Sequence, residues 1–250
     1  MKQNTSPNRV FDIMEYRANL RNRRPLFHYG HSDMTIDQYR RDVDAVSHAL
    51  LLRGLKRGEV VGLVSENRPE WNVIDMAVLQ AGGVLLPLCK GLSAEEYTEC
   101  LIHANVRILF LEDEELYSRF RLLLPQIDSI EYLLSIEPTV ASVPMSRLLM
   151  EGRVNANPSE LQRRKNLITS DDVCTMVYMG GGCYRKVTHR ALLEDVIEQS
   201  YTESGRRQAA AGNNALCTLY GRTKNYVCQL VGRTVNYPER EVEYSLNTVA

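Results

Sequence analysis

The stretch Val177–Asp195 reads VYMGGGCYRKVTHRALLED and collects residue types that could hold a phosphate. Gly180, Gly181 and Gly182 let a main chain approach an anion, Tyr178 precedes them, and Arg185 and Lys186 follow as cations. Upstream, DDVCTMVY has the character of a strand. Downstream, HRALLEDVIEQSY puts Leu192, Leu193, Val196 and Ile197 on one side of a helix that Thr188 would cap. A strand, a glycine-rich turn and a helix start together form an arrangement whose N–H groups and helix dipole receive phosphate. The letters match neither the Walker-type loop nor the G-x-G-x-x-G fingerprint, so a tight strand-to-helix connection with two incidental cations is the other reading.

Other reactive side chains form no motif. The six cysteines (89, 100, 174, 183, 217 and 228) contain no C-x-x-C pair and have no histidine at ligand spacing. Neither zinc nor a disulfide framework is expected, and reduced structural thiols are the default. Cys183 is a candidate reactive thiol if a helix terminus activates it. The five histidines are dispersed, His189 reads as a structural residue behind its capping threonine, and Trp71 at a helix start reads as core.

The elements that must position the glycines follow a clear period. A helix opens at Thr35 with Gln38 three residues later, carries Val43, Val46, Leu50 and Leu51 on one face, and stops at Gly54. Then EVVGLVSEN, VLLPL and VRILFL read as strands, each followed by a helix: RPEWNVIDMAVLQAGG, SAEEYTECLIHAN and DEELYSRFRLLL. Three such units in a row predict an α/β fold with a doubly wound, mostly parallel sheet flanked by helices. The expected division is an N-terminal extension (1–34), the βα-repeat part (35–135), a linker-like excursion with one short helix (136–170), and the glycine-loop unit with the remainder (171–250). The RRK run at Arg163–Lys165 reads as a solvated helix face.

Bulk properties narrow the function classes. Of the 250 residues, 44% are apolar and 24% charged, with 30 basic against 31 acidic, so the chain can bury a sizeable core and offers no net field to nucleic acid. The polar start has no apolar run behind it, and VIDMAVLQAGGVLLPLC divides into a helix and a strand rather than a membrane span. A cytoplasmic protein is the expectation. The end at SLNTVA arrives without a closing signal and suggests truncation.

LLRGLKRGEVVGLVSENRPEWNVIDMAVLQAGGVLLPL, with Asn67 to Trp71 as its most specific part, resembles the N-terminal part of the AMP-forming acyl-CoA synthetases, the adenylate-forming ligase family. It is similar above all to the long-chain fatty acid branch. LSAEEYTECLIHANVRILFLED and TMVYMGGGCYRKVTHRALL extend the resemblance from about residue 20 to 200, and more faintly to 250. The resemblance implies part of the large domain of an adenylate-forming enzyme. It also implies fatty acid, ATP and CoA as substrates with Mg²⁺, and Tyr178, Gly180, Gly181, Gly182, Arg185 and Lys186 as nucleotide contacts.

Departures limit what carries over. The family's loop reads Tyr-Thr-Ser-Gly-Thr-Thr-Gly-x-Pro-Lys-Gly-Val before a Thr-His pair. Here Tyr178 and Thr188-His189 fit its ends, but the segment between is shorter, its Thr and Ser hydroxyls are gone, and Lys186 stands in another register. LYGRTKNY falls where the long-chain branch has Leu-Pro-Leu-Ser-His; alternatively Tyr220, Gly221 and Thr223 resemble the Tyr-Gly-x-Thr-Glu motif, with Lys224 in place of the acid. The family's ribose-binding Asp and mobile C-terminal domain have no counterpart in the matched segment. The expectation is therefore a ligase segment inactive as this chain alone, prone to self-association through the face left by the missing half, or else a non-catalytic α/β module binding nucleotide, acyl chain or protein.

Overall fold

Alternating β-branched and amphipathic runs build a seven-stranded sheet between two helical layers in the computed structural model, which describes residues 6–20, 24–202 and 215–238. The polar start before residue 6, most of the alanine-rich stretch after Gly205 and the SLNTVA end lie outside the described residues. The chain opens with α1 (Asp12–Asn19), β1 (Phe27–Tyr29), β2 (Ser32–Met34) and α2 (Ile36–Leu52). The repeating part follows as β3 (Val60–Val64), α3 (Pro69–Ala81), β4 (Val84–Leu88), α4 (Ala94–His103), β5 (Val106–Leu111), α5 (Glu114–Phe120) and β6 (Tyr132–Ser135). After it come β7 (Val143–Pro144), α6 (Met145–Val154), α7 (Pro158–Leu167), β8 (Val173–Gly180), β9 (Cys183–Thr188), α8 (His189–Tyr201), α9 (Leu219–Leu230) and β10 (Val235–Tyr237).

The strand order is β7-β6-β5-β3-β4-β8-β9, parallel throughout except for β9. A parallel pair needs a crossover, and the chain steps outward from β3 to β4 and then back past β3 to β5, so successive crossovers cover opposite faces. Trp71 and the rest of α3 enter one core cluster together with α2, α8 and α9, whereas Tyr97, Cys100 and Leu101 of α4 enter the other with α5. All five residues of β3 are buried, as a central strand covered on both faces requires. The doubly wound sheet expected from the sequence is present. A small second sheet, β10-β1-β2, closes the first core layer.

Local signals set the helix starts. The Thr35 side chain accepts the Gln38 N–H, Ser93 and Glu96 form a reciprocal capping box, and Thr188 accepts the Ala191 N–H. No helix among the described residues is long and apolar enough to cross a membrane.

Residues 136–170 correct the sequence reading. They hold two helices rather than one, and α6 packs against α2 so closely that a Cβ on Gly152 would stand 1.8 Å from the Ala45 carbonyl oxygen. Composition concealed this: three prolines and a basic cluster look like a linker, but Pro144 and Pro158 sit at helix starts, where their missing N–H costs nothing. Arg163 and Arg164 both reach Glu160 of their own helix, but the solvated-face reading holds for Arg163 alone: the Arg164 and Lys165 side chains are largely covered, Arg164 donating to the Leu55 carbonyl and Lys165 lying 3.8 Å from Asp44 of α2.

Candidate functional site

The three glycines do not open a helix. β8 and β9 pair antiparallel from Val173/Thr188 to Gly180/Cys183, so Gly181 and Gly182 are the two central residues of a hairpin turn, and α8 begins only at His189. Their φ values of 58° and 69° have the sign pattern of a type I′ turn, which asks for glycine at both positions. Gly-Gly between VYMG and the alternating run CYRKVT was the hairpin signal in the sequence, and the helix cap five residues on outweighed it. Cys183 lies in this hairpin and is exposed, away from the α8 terminus.

The register fixes where the other candidates point. Cross-strand partners share a face, so Tyr178 with Tyr184 and Met176 with Lys186 lie on one side, and Arg185 with Val177 on the other. The first side rests on α4: the Tyr178 hydroxyl donates to Glu99 Oε2 at 3.1 Å, the Tyr184 hydroxyl donates to the Cys100 carbonyl at 2.7 Å, and the two rings pack with centroids 5.7 Å apart. Of the six residues expected at a phosphate, the structure therefore groups Tyr178 and Lys186 on the α4 side, leaves the three glycines in the turn, and turns Arg185 away. Burial pushes the Tyr178 and Tyr184 hydroxyls upward, with Cys100 and Glu99 adding to the shift, so both act as neutral donors.

At the foot of the hairpin, His189 is buried, its Nδ1 accepts the Val10 N–H at 3.2 Å, and its ring meets Phe11 edge-on. Burial, with Arg9 nearby, pushes its pKa down to about 4. The structural role read from the sequence is the role it has. Trp71, fully buried beneath the Arg222 guanidinium, is likewise core.

Parallel sheets place ligands outside the carboxyl ends of their strands, where crossovers diverge. Here that edge carries a buried ion network and a disulfide. Glu112, after β5, is 1% exposed and accepts from Arg68 at 3.3 Å, Lys90 at 3.0 Å and the Glu66 N–H at 3.2 Å. Arg68 also holds Glu70 and Glu137. Beside them Cys89, which follows β4, is disulfide-bonded to Cys217 before α9, a correction to the expectation of reduced thiols. Spacing could not reveal this pair, because its partners are 128 residues apart and meet only after the crossovers form. Cys100, Cys174, Cys183 and Cys228 are free thiols.

LYGRTKNY is the first part of α9, capped by Thr218. Its Arg222 bonds Asp75 of α3 at 2.7 Å, Tyr226 donates to the same carboxylate, and Asn225 reaches Asn72. Asn72 and Asn225 both bond the Tyr237 hydroxyl of β10, at 2.8 and 3.0 Å. Burial raises the Asp75 pKa, opposed by Arg222 and Tyr226. This network joins α3 to the distant α9–β10 segment and went unread in the sequence, since its partners are 147 to 165 residues apart.

The model of the family described as AMP-binding enzyme matches residues 14–247. Among similar curated proteins, a long-chain-fatty-acid–CoA ligase, FadD15, from Mycobacterium bovis is 26% identical over 150 residues, covering 60% of this chain and 25% of that protein. The peroxisomal long chain acyl-CoA synthetase 7 of Arabidopsis thaliana is 27% identical over 185 residues, covering 68% and 26%. This chain thus spans about a quarter of the length of the curated relatives it matches. In fold, it is similar to a coronafacic acid ligase from Pectobacterium brasiliense, with a TM-score of 0.80 at 15% identity, covering 94% of this chain and 46% of that one. An anthranilate CoA ligase, AuaEII, solved with anthranoyl-AMP, gives 0.74 at 18%, covering 95% and 46%.

Proposed function

We propose a function from one established premise: the chain belongs to the AMP-binding enzyme family. It is the N-terminal segment of an AMP-forming long-chain fatty acid–CoA ligase. The intact reaction joins fatty acid and CoA at the expense of ATP, through an acyl-adenylate, to give acyl-CoA, AMP and pyrophosphate. The named relatives support the substrate class. In this reading Tyr178, Gly180, Gly181, Gly182, Arg185 and Lys186 are the remnant of the nucleotide contact, and the chain has no ligase turnover of its own.

The observation that carries the last point is the hairpin itself. Adenylation develops charge on the α-phosphate and pyrophosphate, and its catalysis rests on donors and cations converging on them. Between Tyr178 and Thr188 the only hydroxyl belongs to Tyr184, which donates to the Cys100 carbonyl, and the two cations sit on opposite faces of β9. The segment has no carboxylate, and among the described residues no group of three or more His, Cys, Asp or Glu could hold a metal ion. These residues do not fit a protein-held magnesium ion, which would need oxygen ligands. Fatty-acid-dependent exchange of pyrophosphate into ATP by the purified chain tests the reading. No exchange above the blank is expected, and measurable exchange overturns it.

The altered loop also favours a second reading, a non-catalytic α/β module that binds a nucleotide, an acyl chain or a partner protein. Equilibrium dialysis with labelled ATP narrows the choice: binding is expected of a phosphate remnant or a nucleotide module, and no binding leaves a module for an acyl chain or a partner protein. A cytoplasmic location and self-association belong to the first reading. A clean monomer in sedimentation velocity would remove the self-association.

A further inference from the structure

A cleft of about 580 Å³ lies at the amino ends of β3, β4 and β8, on the opposite edge from the ion network and disulfide. Its walls come from the turns before β3 and β4, the last turn of α4 and the base of the β8–β9 hairpin, and its volume is within the range of small-molecule sites.

The lining has an uneven charge. Lys186 borders the cleft, is exposed, and has no acidic partner among the described residues. Arg57 also borders it, bonded to both oxygens of Asp172 at 2.6 and 2.7 Å. Asp172 additionally accepts the Thr169 N–H; its charge is paired with Arg57, which leaves Lys186 as the surplus charge of the lining. Glu99, the nearest other acid on α4, accepts the Tyr178 hydroxyl and faces His103 at 4.0 Å. Deeper in, His189 lines the cleft; because its Nδ1 accepts the Val10 N–H, the ring proton stands on Nε2 and the imidazole offers a neutral donor. Val84, Ala104, Met176 and Ile168 supply an apolar wall.

One surplus ammonium at the rim over an apolar wall suits one negative charge on an apolar body. We propose that this amino-edge cleft binds an apolar monocarboxylate, with the carboxylate at Lys186 and the hydrocarbon against Met176, Ala104 and Val84. The site shares Lys186 with the nucleotide remnant read above, but its other lining residues are separate from that remnant and it lies away from the carboxyl edge, so binding is expected without ATP.

The test uses the full chain without nucleotide and the fluorescent anion 2-naphthoate, with 2-naphthamide as its neutral isostere. Saturable one-site binding of naphthoate is expected, at least about fivefold tighter than naphthamide, the size of one partly exposed charge contact. Lys186→Gln should weaken naphthoate by the same factor and leave naphthamide unchanged. Because Lys186 is exposed, that variant keeps its fold, which far-UV circular dichroism verifies. Methyl NMR resonances of Met176, Val84 and Ala104 should shift on titration. Equal binding of the two isosteres, indifference to Lys186→Gln, shifts confined to other methyls, or no saturable binding each overturn the proposal.

Discussion

His189 shows how one residue can match a family pattern and yet serve the fold. Its neutral state is set by burial, which holds its pKa at about 4, while an unfolded chain protonates the same ring near about 6.5. Between those values the unfolded state carries the extra proton. The contribution to stability is therefore complete above about pH 6.5, falls as pH drops through the window, and stops falling below about 4, for a full amplitude of about 3 kcal/mol. His189→Gln should lose this share of the pH dependence. Urea titrations of both proteins at neutral and mildly acidic pH check it, and identical slopes would show that the ring is already solvated. The residue type and its place behind Thr188 were legible in the sequence, whereas the Val10 N–H that it accepts comes from the far end of the chain and was not. The same holds for Lys186. Its presence near the glycines was plain, but which face of β9 it occupies depends on a hairpin register that a helix-start reading does not contain.

At the scale of elements, periodicity was enough wherever a strand was followed at once by its own helix, because burying one face fixes both partners locally. It failed over 136–170, where α6 belongs to α2 and the contact is long-range. Close approach there depends on Gly152 having no side chain. Gly152→Ala should gain up to about 1 kcal/mol of helix propensity but lose more to the clash with the Ala45 carbonyl. A net loss of about 2 kcal/mol in urea denaturation is expected; a variant as stable as the parent would mean that the two helices do not cross so closely. The polar network of Asp75, Arg222, Tyr226, Asn72 and Asn225 was equally hidden. Its pairs join α3 to α9 across 147 to 153 residues, and a buried ion pair of this kind orients the helices more than it stabilises them.

Over the whole molecule, the fold class was readable from the order of elements, but the covalent tie was not. Cys89–Cys217 closes a loop of 128 residues containing most of the sheet, which restricts the unfolded chain more than any noncovalent contact does. Reduction, or the double substitution Cys89→Ser/Cys217→Ser, should cost about 3–5 kcal/mol in chemical denaturation, and an unchanged midpoint under reductant would mean that the two thiols are not joined. Sheet edges also matter at this scale. β7 ends one side after two residues, the second of them Pro144, which has no N–H to offer an incoming strand. β9 ends the other side with six residues and has no neighbour beyond it among the described residues. A strand of that length is a template on which copies of a chain can stack into fibrils, and charge is the usual deterrent. Arg185, exposed on this edge strand and turned away from the cleft, is therefore well placed as a gatekeeper charge against such stacking.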